Sequence, residues 1–416
     1  GVPEGRPNAF DWLADMEDLS LKADLTWFAN DKMSLRFGSQ LTNHRFQPGE
    51  AGGVGEQTPF NIVKMPVGHA LEAAVYVSSE HKVSQRMTVD YGLRFSLFSN
   101  YGPATVFAFD ENFMKYDSAI YSKNDFYNTY TAFEPRISAA YAINEYTSIK
   151  AAYTRNVQYI HLAQNSTGGT PLDIWFPSSP NVKPQKGDQF TAGVFHNIAK
   201  YKVETSLEAF YKINHNAIDF KDFAELLLNE YLEGELRFGK ARSYGLEALV
   251  RLTEGKLTGW VGYTWSRTLR EIPEINKGMV YPAAYDRPHD ISVVASYQLN
   301  NNFSFGANWV YSTGAPVTFP TGRFVIGNTI APVYSARNAY RLPDYHRLDV
   351  SVTYVPTAKN KRKWSGEWNL SVYNAYYRKN PWVINFVNDP ATPNVTYAEM
   401  TYLFGIVPAI TYNFKF

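Results

Sequence analysis

The chain has 416 residues, and its 40 Lys and Arg against 39 Asp and Glu give a net charge of +1, which does not favour a nucleic-acid partner. The absence of cysteine excludes disulfide bonds and thiolate metal ligands. Aromatic residues make up 16% of the chain and no run of about 18 apolar residues occurs, so helical membrane spans are excluded, whereas lipid-facing strands would accommodate the aromatic side chains.

Apolar and polar residues alternate along most of the chain, which predicts strands rather than helices. In segment 203–213, for example, Val203, Leu207 and Tyr211 fall on one face, whereas Glu204 and Lys212 fall on the other. A charged face is hard to bury in a soluble core, but a water-filled lumen tolerates it. In chain order, we predict fifteen strands near residues 17–29, 32–46, 68–79, 84–97, 131–143, 146–158, 188–198, 201–214, 238–252, 256–270, 288–299, 302–315, 345–356, 365–378 and 402–416.

The predicted connections alternate between short polar turns and long loops. Short turns fall, for example, at 30–31, 80–82 and 199–200. The long loops lie near residues 47–67, 98–130, 159–187, 215–237, 271–287, 316–344 and 379–401. Tight periplasmic turns and long extracellular loops are typical of outer-membrane barrels. The sequence therefore predicts an all-β fold, an antiparallel transmembrane β-barrel of the outer membrane.

The number of predicted strands is odd, although single-chain barrels of this kind normally have an even number with both ends in the periplasm. If Phe416 lies in the periplasm, the last predicted strand runs towards the periplasm, and counting back shows that the first predicted strand does so as well. An open barrel would leave backbone donors and acceptors unpaired in hydrocarbon. We therefore expect that an N-terminal portion of the barrel is missing from this chain, with a miscount by one strand as the alternative.

The end of the chain, 406–416, is strictly alternating, rich in aromatic residues and terminated by Phe416. Tyr412, Phe414 and Phe416 share one face. The segment resembles the C-terminal signal by which outer-membrane barrels are handed to the barrel assembly machinery. An ordinary last strand would show the same alternation.

Several short motifs occur in one order along the chain: FEPR at 133–136, SYGLE at 243–247, YDRPHD at 285–290, YN at 373–374, RKNP at 378–381 and LFGIVP at 403–408. With these motifs, the chain resembles the barrel half of Bacteroidetes TonB-dependent receptors, in particular the type whose full chain starts with a carboxypeptidase-regulatory-like domain. The resemblance implies a 22-strand barrel. Residues 1–416 would then be its C-terminal part, and the N-terminal plug, the TonB box and the first strands would be absent from this chain.

The resemblance also implies a function, which is TonB-dependent active uptake of a scarce or large nutrient through ligand binding by the extracellular loops and the upper lumen. The implied partners are the outer-membrane lipids, the TonB complex acting through a plug that is not in this chain, and the barrel assembly machinery. Some members of the family also carry a surface lipoprotein, although the loops here are short for that arrangement.

Aromatic and arginine side chains in the predicted loops are typical of recognition surfaces, but they also pack loops against each other. The ligand-binding candidates are Tyr159, His161, Trp175, Phe176, Tyr281, Tyr285, Arg287, Arg323, Tyr334 and Arg337. A 22-strand lumen is too wide for the side chains of the wall to fill, so luminal charges would bond to the plug. The plug-facing candidates are Arg36, Arg94, Arg136, Glu204, Glu208, Glu247 and Arg251.

The sequence contains no recognisable catalytic or metal-binding motif. Its eight histidines are scattered without a ligand spacing such as HExxH. Glu204 and Glu208 share a face with Lys212, which indicates a network on the wall rather than a catalytic carboxylate pair. We therefore predict that the chain is not an enzyme and has no metal site and no cofactor.

Two other functions fit the same fold. A passive channel of the porin type would show steady ion conductance and a constriction loop folded into the lumen. A structural or adhesive barrel would serve as a subunit of a larger outer-membrane complex. The fold alone does not identify a transported substrate.

Overall fold

The computed structural model describes residues 10–53, 63–163, 174–226, 229–326, 329–356, 365–388 and 396–415. Fifteen long strands, here called the wall strands, form one antiparallel sheet in which each strand pairs with the next along the chain. The wall strands are β1 Phe10–Asn30, β2 Met33–Gly53, β3 Gly68–Lys82, β4 Met87–Tyr101, β5 Phe126–Ala142, β6 Thr147–Gln158, β7 Gln185–Ile198, β8 Val203–Phe220, β9 Leu236–Leu252, β10 Leu257–Glu271, β11 His289–Gln298, β12 Phe303–Ser312, β13 Tyr345–Tyr354, β14 Ser365–Tyr373 and β15 Val407–Lys415. The prediction of fifteen strands in an all-β fold is confirmed.

Two short strands extend the sheet to seventeen strands. Val63–Lys64 pairs with β2, and Tyr281–Pro282 pairs with β10. Within the described residues, β1 pairs only with β2 and β15 pairs only with β14, so each has one free edge. Wall strands as long as 21 residues extend beyond the roughly 9–11 residues needed to cross a bilayer.

Alternation gives the sheet an apolar face and a polar face, and the register carries each face from strand to strand. On the apolar face, Leu41 lies opposite both Leu21 and Ala73. On the polar face, Gln40 lies opposite Lys22. Leu19 is 76% exposed and Ile410 is 70% exposed, which is costly in water and favourable in lipid.

Each wall strand has a turn end, which leads into a short turn, and a loop end, which leads into a long loop. The long loops contain hairpins formed by Ala104–Phe109 with Lys115–Tyr121, Ile160–Ala163 with Ile174–Pro177, Pro316–Val317 with Tyr340–Arg341, Pro320–Ile326 with Thr329–Tyr334, and Val383–Asn388 with Thr396–Thr401. Three short 3-10 helices, Ala199–Tyr201, Leu232–Glu235 and Asn276–Gly278, lie in connections. No helix in these described ranges is long and apolar enough to cross a membrane.

Six predicted strands differ from the observed ones by five or more residues at one end. β1 begins at Phe10 rather than near 17, β2 ends at Gly53 rather than near 46, β5 begins at Phe126 rather than near 131, and β8 ends at Phe220 rather than near 214.

The other two strands are shorter than predicted. β14 ends at Tyr373 rather than near 378, because Asn374 adopts a positive φ of 53°. Its side-chain oxygen accepts a hydrogen bond of 2.9 Å from the backbone amide of Arg378, and its side-chain amide donates to the Arg378 carbonyl at 2.9 Å. This turn ends the strand, which the alternation of apolar and polar residues had predicted to continue to about residue 378. β15 begins at Val407 rather than near 402.

The loop ends of the wall carry small apolar cores. Val182, Leu232 and Leu236 are buried together with three further side chains, Ile174, Phe176 and Phe220. This cluster joins loop 159–184 to the loop that follows β8. A second cluster, with Phe46, Phe98 and Tyr159, packs the start of loop 159–184 onto the wall. The long loops and their hairpins, here together called the loop layer, are therefore packed on the wall at the loop ends.

Candidate functional site

A network of charged side chains crosses the polar face of β1–β5. His44 Nδ1 lies 2.7 Å from Asp18, and His44 Nε2 lies 3.6 Å from Glu72. Arg94 lies 3.5 Å from both Glu72 and Glu134. Charges that alternate in sign across neighbouring strands stabilise each other, because opposite charges attract more strongly where water is partly excluded. Arg94, one of the plug-facing candidates, is therefore engaged by the wall itself.

The aromatic cluster lies on the loop-end side of this network. The rings of Phe98 and Tyr159 are stacked with centroids 4.9 Å apart. The Tyr159 hydroxyl lies 2.9 Å from Ser96 Oγ, which donates to Glu134 at 2.8 Å. Tyr159, a ligand-binding candidate, is only 4% exposed, so in this structure it anchors loop 159–184 over the polar face.

Two arginine side chains on the turn-end side of the network have no partner among the described residues. The guanidinium groups of Arg36 and Arg136 form no ion pair or hydrogen bond there. They line an open cavity of about 500 Å³ together with Arg94, Lys22 and Asp24. Lys22 lies 3.3 Å from Asp24, which also accepts a hydrogen bond from the Tyr76 hydroxyl. Unpaired guanidinium groups facing a cavity are available to an anionic or carbonyl-rich partner.

The polar face of β8 and β9 carries the remaining plug-facing candidates. Glu204 lies 3.8 Å from Arg251, and Glu208 stands directly opposite Glu247. Glu208, Glu247 and Lys212 line a cavity of about 210 Å³. The register thus brings all seven plug-facing candidates to one face of the sheet. Contact with a plug stays a prediction.

Asp219, at the loop end of β8, joins β10 and two long loops. Its carboxylate lies 2.9 Å from Arg270 and 2.8 Å from Arg337, and it accepts a hydrogen bond of 2.9 Å from the Tyr281 hydroxyl. Burial together with Asp219 raises the pKa of Tyr281, so the phenol stays protonated as a donor. The ligand-binding candidates Tyr281 and Arg337 therefore hold loops together in this structure.

Asp286 forms a second centre of the same kind. Its side chain is fully buried and is bonded to Arg267 at 3.4 Å, to the backbone amide of Thr268 at 2.6 Å and to Arg341. The neighbouring candidate Arg287 is exposed and donates to Ser312 Oγ at 3.3 Å. Sequence reasoning missed the structural roles of Asp219 and Asp286. The YDRPHD motif was a signal for Asp286, but nothing in the sequence distinguished Asp219 from other acidic residues.

His161 and Phe176 face each other across the hairpin of Ile160–Ala163 and Ile174–Pro177. His161 Nε2 lies 2.9 Å from Ser178 Oγ, and Nδ1 lies 3.4 Å from the Gln185 side-chain amide. Burial lowers the pKa of His161 to about 4, so the ring is neutral near pH 7. Both candidates are buried, whereas the candidate Trp175, which precedes Phe176 on the same strand, is 44% exposed.

The exposed ligand-binding candidates are spread over the loop layer. Tyr285 is 61% exposed and Tyr334 is 45% exposed, with the Tyr334 ring 5.8 Å from that of Phe223. Arg323 is exposed and donates to Thr396 Oγ1 at 3.3 Å. With Trp175 and Arg287, these residues are accessible to a ligand arriving from solvent. Whether they bind one stays a prediction.

An enclosed acid lies beneath the hairpin of Ala104–Phe109 and Lys115–Tyr121. Glu233 accepts a hydrogen bond from Asn181 Nδ2, which also donates to the Phe107 carbonyl at 2.9 Å. Burial raises the pKa of Glu233 above its ordinary value. Glu233 helps to line a mainly apolar cavity of about 140 Å³.

The assembly-signal candidates lie on the apolar face of β15. Phe414 is 59% exposed, and the Tyr412 ring packs 4.6 Å from that of Trp368 on β14. Phe416 lies outside the described residues. In the part of the chain that the structure describes, no three His, Asp or Glu side chains are grouped to hold a metal ion.

A family model described as "TonB dependent receptor-like, beta-barrel" matches residues 4–375. The fold is similar to FpvA of P. aeruginosa bound to a heterologous pyoverdine, with a TM-score of 0.63 and 15% identity over 100% of this chain and 50% of that chain. The ferric preacinetobactin receptor BauA of Acinetobacter baumannii gives a TM-score of 0.61 and 12% identity over 98% and 55% of the two chains. The ferric-catecholate import receptor Fiu of E. coli K12 gives 0.58 and 15% over 96% and 55%. The chain spans about half the length of these structures, and no curated protein matches it.

Proposed function

The chain belongs to the family of TonB-dependent receptor-like β-barrels, and we propose that it forms most of the barrel wall of a transporter that takes up a scarce or large nutrient. Members of this family are outer-membrane proteins, so the apolar face of the sheet contacts lipid and the polar face lines the lumen. The loop ends then lie at the cell surface and the turn ends in the periplasm. Uptake in this family depends on energy that TonB relays to a plug.

The unpaired luminal arginines carry this proposal. Arg36 and Arg136 face an open cavity of about 500 Å³ and have no partner among the described residues. Neighbouring charges on the same face, by contrast, are paired across strands, as Arg94 is with Glu72 and Glu134. A plug seated in the lumen would supply the missing acceptors as carboxylates or backbone carbonyls.

The free edges of the sheet support the domain organisation. A lipid-exposed edge would leave backbone groups unpaired at several kcal/mol each. We propose that, in the complete protein, β1 and β15 pair with further strands that close a 22-strand barrel. The plug, and in the Bacteroidetes type a carboxypeptidase-regulatory-like domain, would precede those strands.

Ligand capture is proposed for the exposed loop residues Trp175, Tyr285, Arg287, Arg323 and Tyr334. Flat aromatic rings and guanidinium groups together bind large polar molecules, because they combine apolar contact with directed hydrogen bonds. The similar solved structures bear names of receptors for iron chelates.

Photo-crosslinking of the complete protein in outer membranes tests the proposal. A crosslinking amino acid at Arg136 would face the lumen, and the same residue at Ile137 would face lipid, so the two positions form a matched pair. We expect position 136, and not 137, to crosslink to a segment of the same polypeptide that precedes the barrel.

Conductance in planar bilayers separates the proposal from a passive channel. A plugged transporter should show no steady ion current. A steady current without any crosslink at position 136 would overturn the proposal in favour of a porin-type channel.

A further inference from the structure

A row of aromatic side chains runs across the apolar face of β6–β9. Phe190 stands opposite both Tyr153 and Tyr211, and Tyr211 stands opposite Tyr244. The ring centroids are 5.0 Å apart for Tyr153 and Phe190 and 6.3 Å apart for Tyr211 and Tyr244. Aromatic bands on the lipid-facing surface mark the level where hydrocarbon meets the headgroups. The row lies six to eight residues from the turn ends of its strands. Since roughly 9–11 tilted residues cross a bilayer, the row marks the outer leaflet.

Basic residues follow directly outside this aromatic row. Arg242 lies two residues beyond Tyr244 along β9, about 7 Å further towards the loop end. Lys186, His215 and Lys240 stand opposite one another on three adjacent strands, about 13 Å beyond the aromatic row. These residues lie two or four positions from the aromatic residues along the same strands, and side chains alternate between the two faces of a strand. Their side chains therefore project from the lipid-facing surface at headgroup depth.

Three of these cationic side chains have no partner in the described ranges. The side chains of Lys186, Lys240 and Arg242 are exposed and form no ion pair or hydrogen bond with any described residue. We call these three residues the free basic row. The charges around them are Arg155 and Asp188, which pair at 2.8 Å, and Glu271, which stands opposite Lys240 in the ladder without an ion pair. Four cations therefore face two carboxylates.

A shallow pocket accompanies two of the free cations. Lys240 and Arg242 line a cavity of about 130 Å³ whose other walls include Ile213, Leu269 and Val280. The site thus combines cationic groups with apolar surface on the side that contacts lipid. This is the chemistry of a phosphate headgroup with its attached acyl chains.

The same level on β1 and β2 is different. There Arg45 is bonded to Asp15 at 3.1 Å, and Glu17 stands opposite Arg45 in the ladder. Among these described residues one cation faces two carboxylates, so the basic excess at β7–β9 is not shared by β1 and β2.

We propose that the free basic row binds the phosphate groups of anionic glycolipids in the outer leaflet, with acyl chains packed on Tyr211 and Ile213. The site lies on the lipid-facing side of the wall, so the inference does not depend on which nutrient the lumen carries. Such a lipid would be retained at a fixed position against β7–β9.

Binding of a diphosphorylated glycolipid to the complete protein in phosphatidylcholine nanodiscs tests the proposal. We compare the K240E/R242E variant with a matched K200E/K256E control, whose lysines lie at the turn ends. Each Lys or Arg near an anionic lipid surface contributes about a fivefold factor, so loss of two should weaken binding about 30-fold or more. The control should bind like the unmodified protein.

Two outcomes would overturn the proposal. Equal affinity of the K240E/R242E variant and the control would show that the row does not bind the glycolipid. Displacement of the glycolipid by inorganic phosphate at comparable concentration would assign the row to free anions instead. Because charge reversal could impair folding, the milder K186Q/K240Q/R242Q variant and the mobility of unheated protein in detergent gels serve as a second arm, in which the folded variant should also bind less glycolipid.

Discussion

The enclosed carboxylates at the loop ends and two arginines on the wall are used in opposite ways. At the loop ends, the Asp219 and Asp286 carboxylates are enclosed and each is bonded to two arginines. On the wall, Arg36 and Arg136 face a cavity without any partner among the described residues. A charged group that is fully ion-paired stabilises the fold that encloses it. A charged group that faces solvent without an ion-pair partner is available to bind another molecule or domain. The difference separates residues that hold the structure from residues that we propose bind a partner.

The largest effect should come from neutralising the most enclosed carboxylate, Asp286. The D286N variant leaves Arg267 and Arg341 without their anion, and breaking a buried ion pair costs about 3–5 kcal/mol. We expect loop 272–288 to open locally, which hydrogen exchange of its backbone amides would detect. The exposed Asp290 on β11 provides the control, since D290N should change the opening free energy by less than about 0.5 kcal/mol. Equal protection in D286N and D290N would contradict the structural role of Asp286.

A second effect, of about 3 kcal/mol, should appear in the loop layer as the pH falls. The pKa of buried His161 is lowered to about 4, against 6.5 for the free side chain. The neutral ring is therefore favoured by folding, and its contribution is complete above about pH 6.5 and is lost as the pH falls towards 4. Protonation would give Nδ1 a hydrogen that faces the donor amide of Gln185, 3.4 Å away. Hydrogen exchange of 160–163 and 174–177, corrected for its intrinsic pH dependence, measures the loss.

The H161Q variant is the control for this prediction and should show no loss of protection as the pH falls over the same range. Glu233 acts in the opposite direction, because its raised pKa favours the protonated form in the folded loop. Its destabilising effect appears as the pH rises above the ordinary value for Glu and is complete above the raised pKa. The profile of the E233Q variant should therefore fall more steeply on acidification than that of the unmodified protein. An H161Q profile that still falls below pH 6.5 would assign the acid sensitivity to another group.

The wall and the loop layer also differ in how far the sequence predicts them. Alternation in segments such as 203–213 determines which face each side chain takes, so the fifteen strands and the common face of Arg36, Arg136 and Glu208 follow from local pattern. The contacts of the loop layer join residues that are far apart along the chain, as Asp219 and Arg337 are, and no periodicity encodes them. Tyr281 and Arg337 were thus indistinguishable, from sequence, from exposed recognition residues.

The free basic row, on the lipid-facing side, is likewise a cluster that sequence patterns do not predict. Lys186, His215 and Lys240 lie on three separate strands, and only the register of the ladder brings them together. A shift of the register by one residue would turn each of them to the other face. Sequence patterns therefore predict the faces well, whereas clusters across strands depend on pairings that the structure provides.

The smallest effect on stability is expected for the two wall arginines that have no described partner. Replacing Arg36 and Arg136 by alanine removes two charges that the described wall does not use, so the free energy of unfolding should change by less than about 0.5 kcal/mol per site. The paired Arg94 provides the contrast, because R94A leaves Glu72 and the buried Glu134 without their cation. Guanidinium titration of the complete barrel, refolded in lipid vesicles without its plug, would compare the R36A/R136A and R94A variants. If the R36A/R136A variant is destabilised as much as R94A, then Arg36 and Arg136 hold the wall. If it is not, while the complete protein retains its plug less firmly, then the arginines serve the lumen, because a charge without a partner in the wall stabilises only the complex in which it finds one.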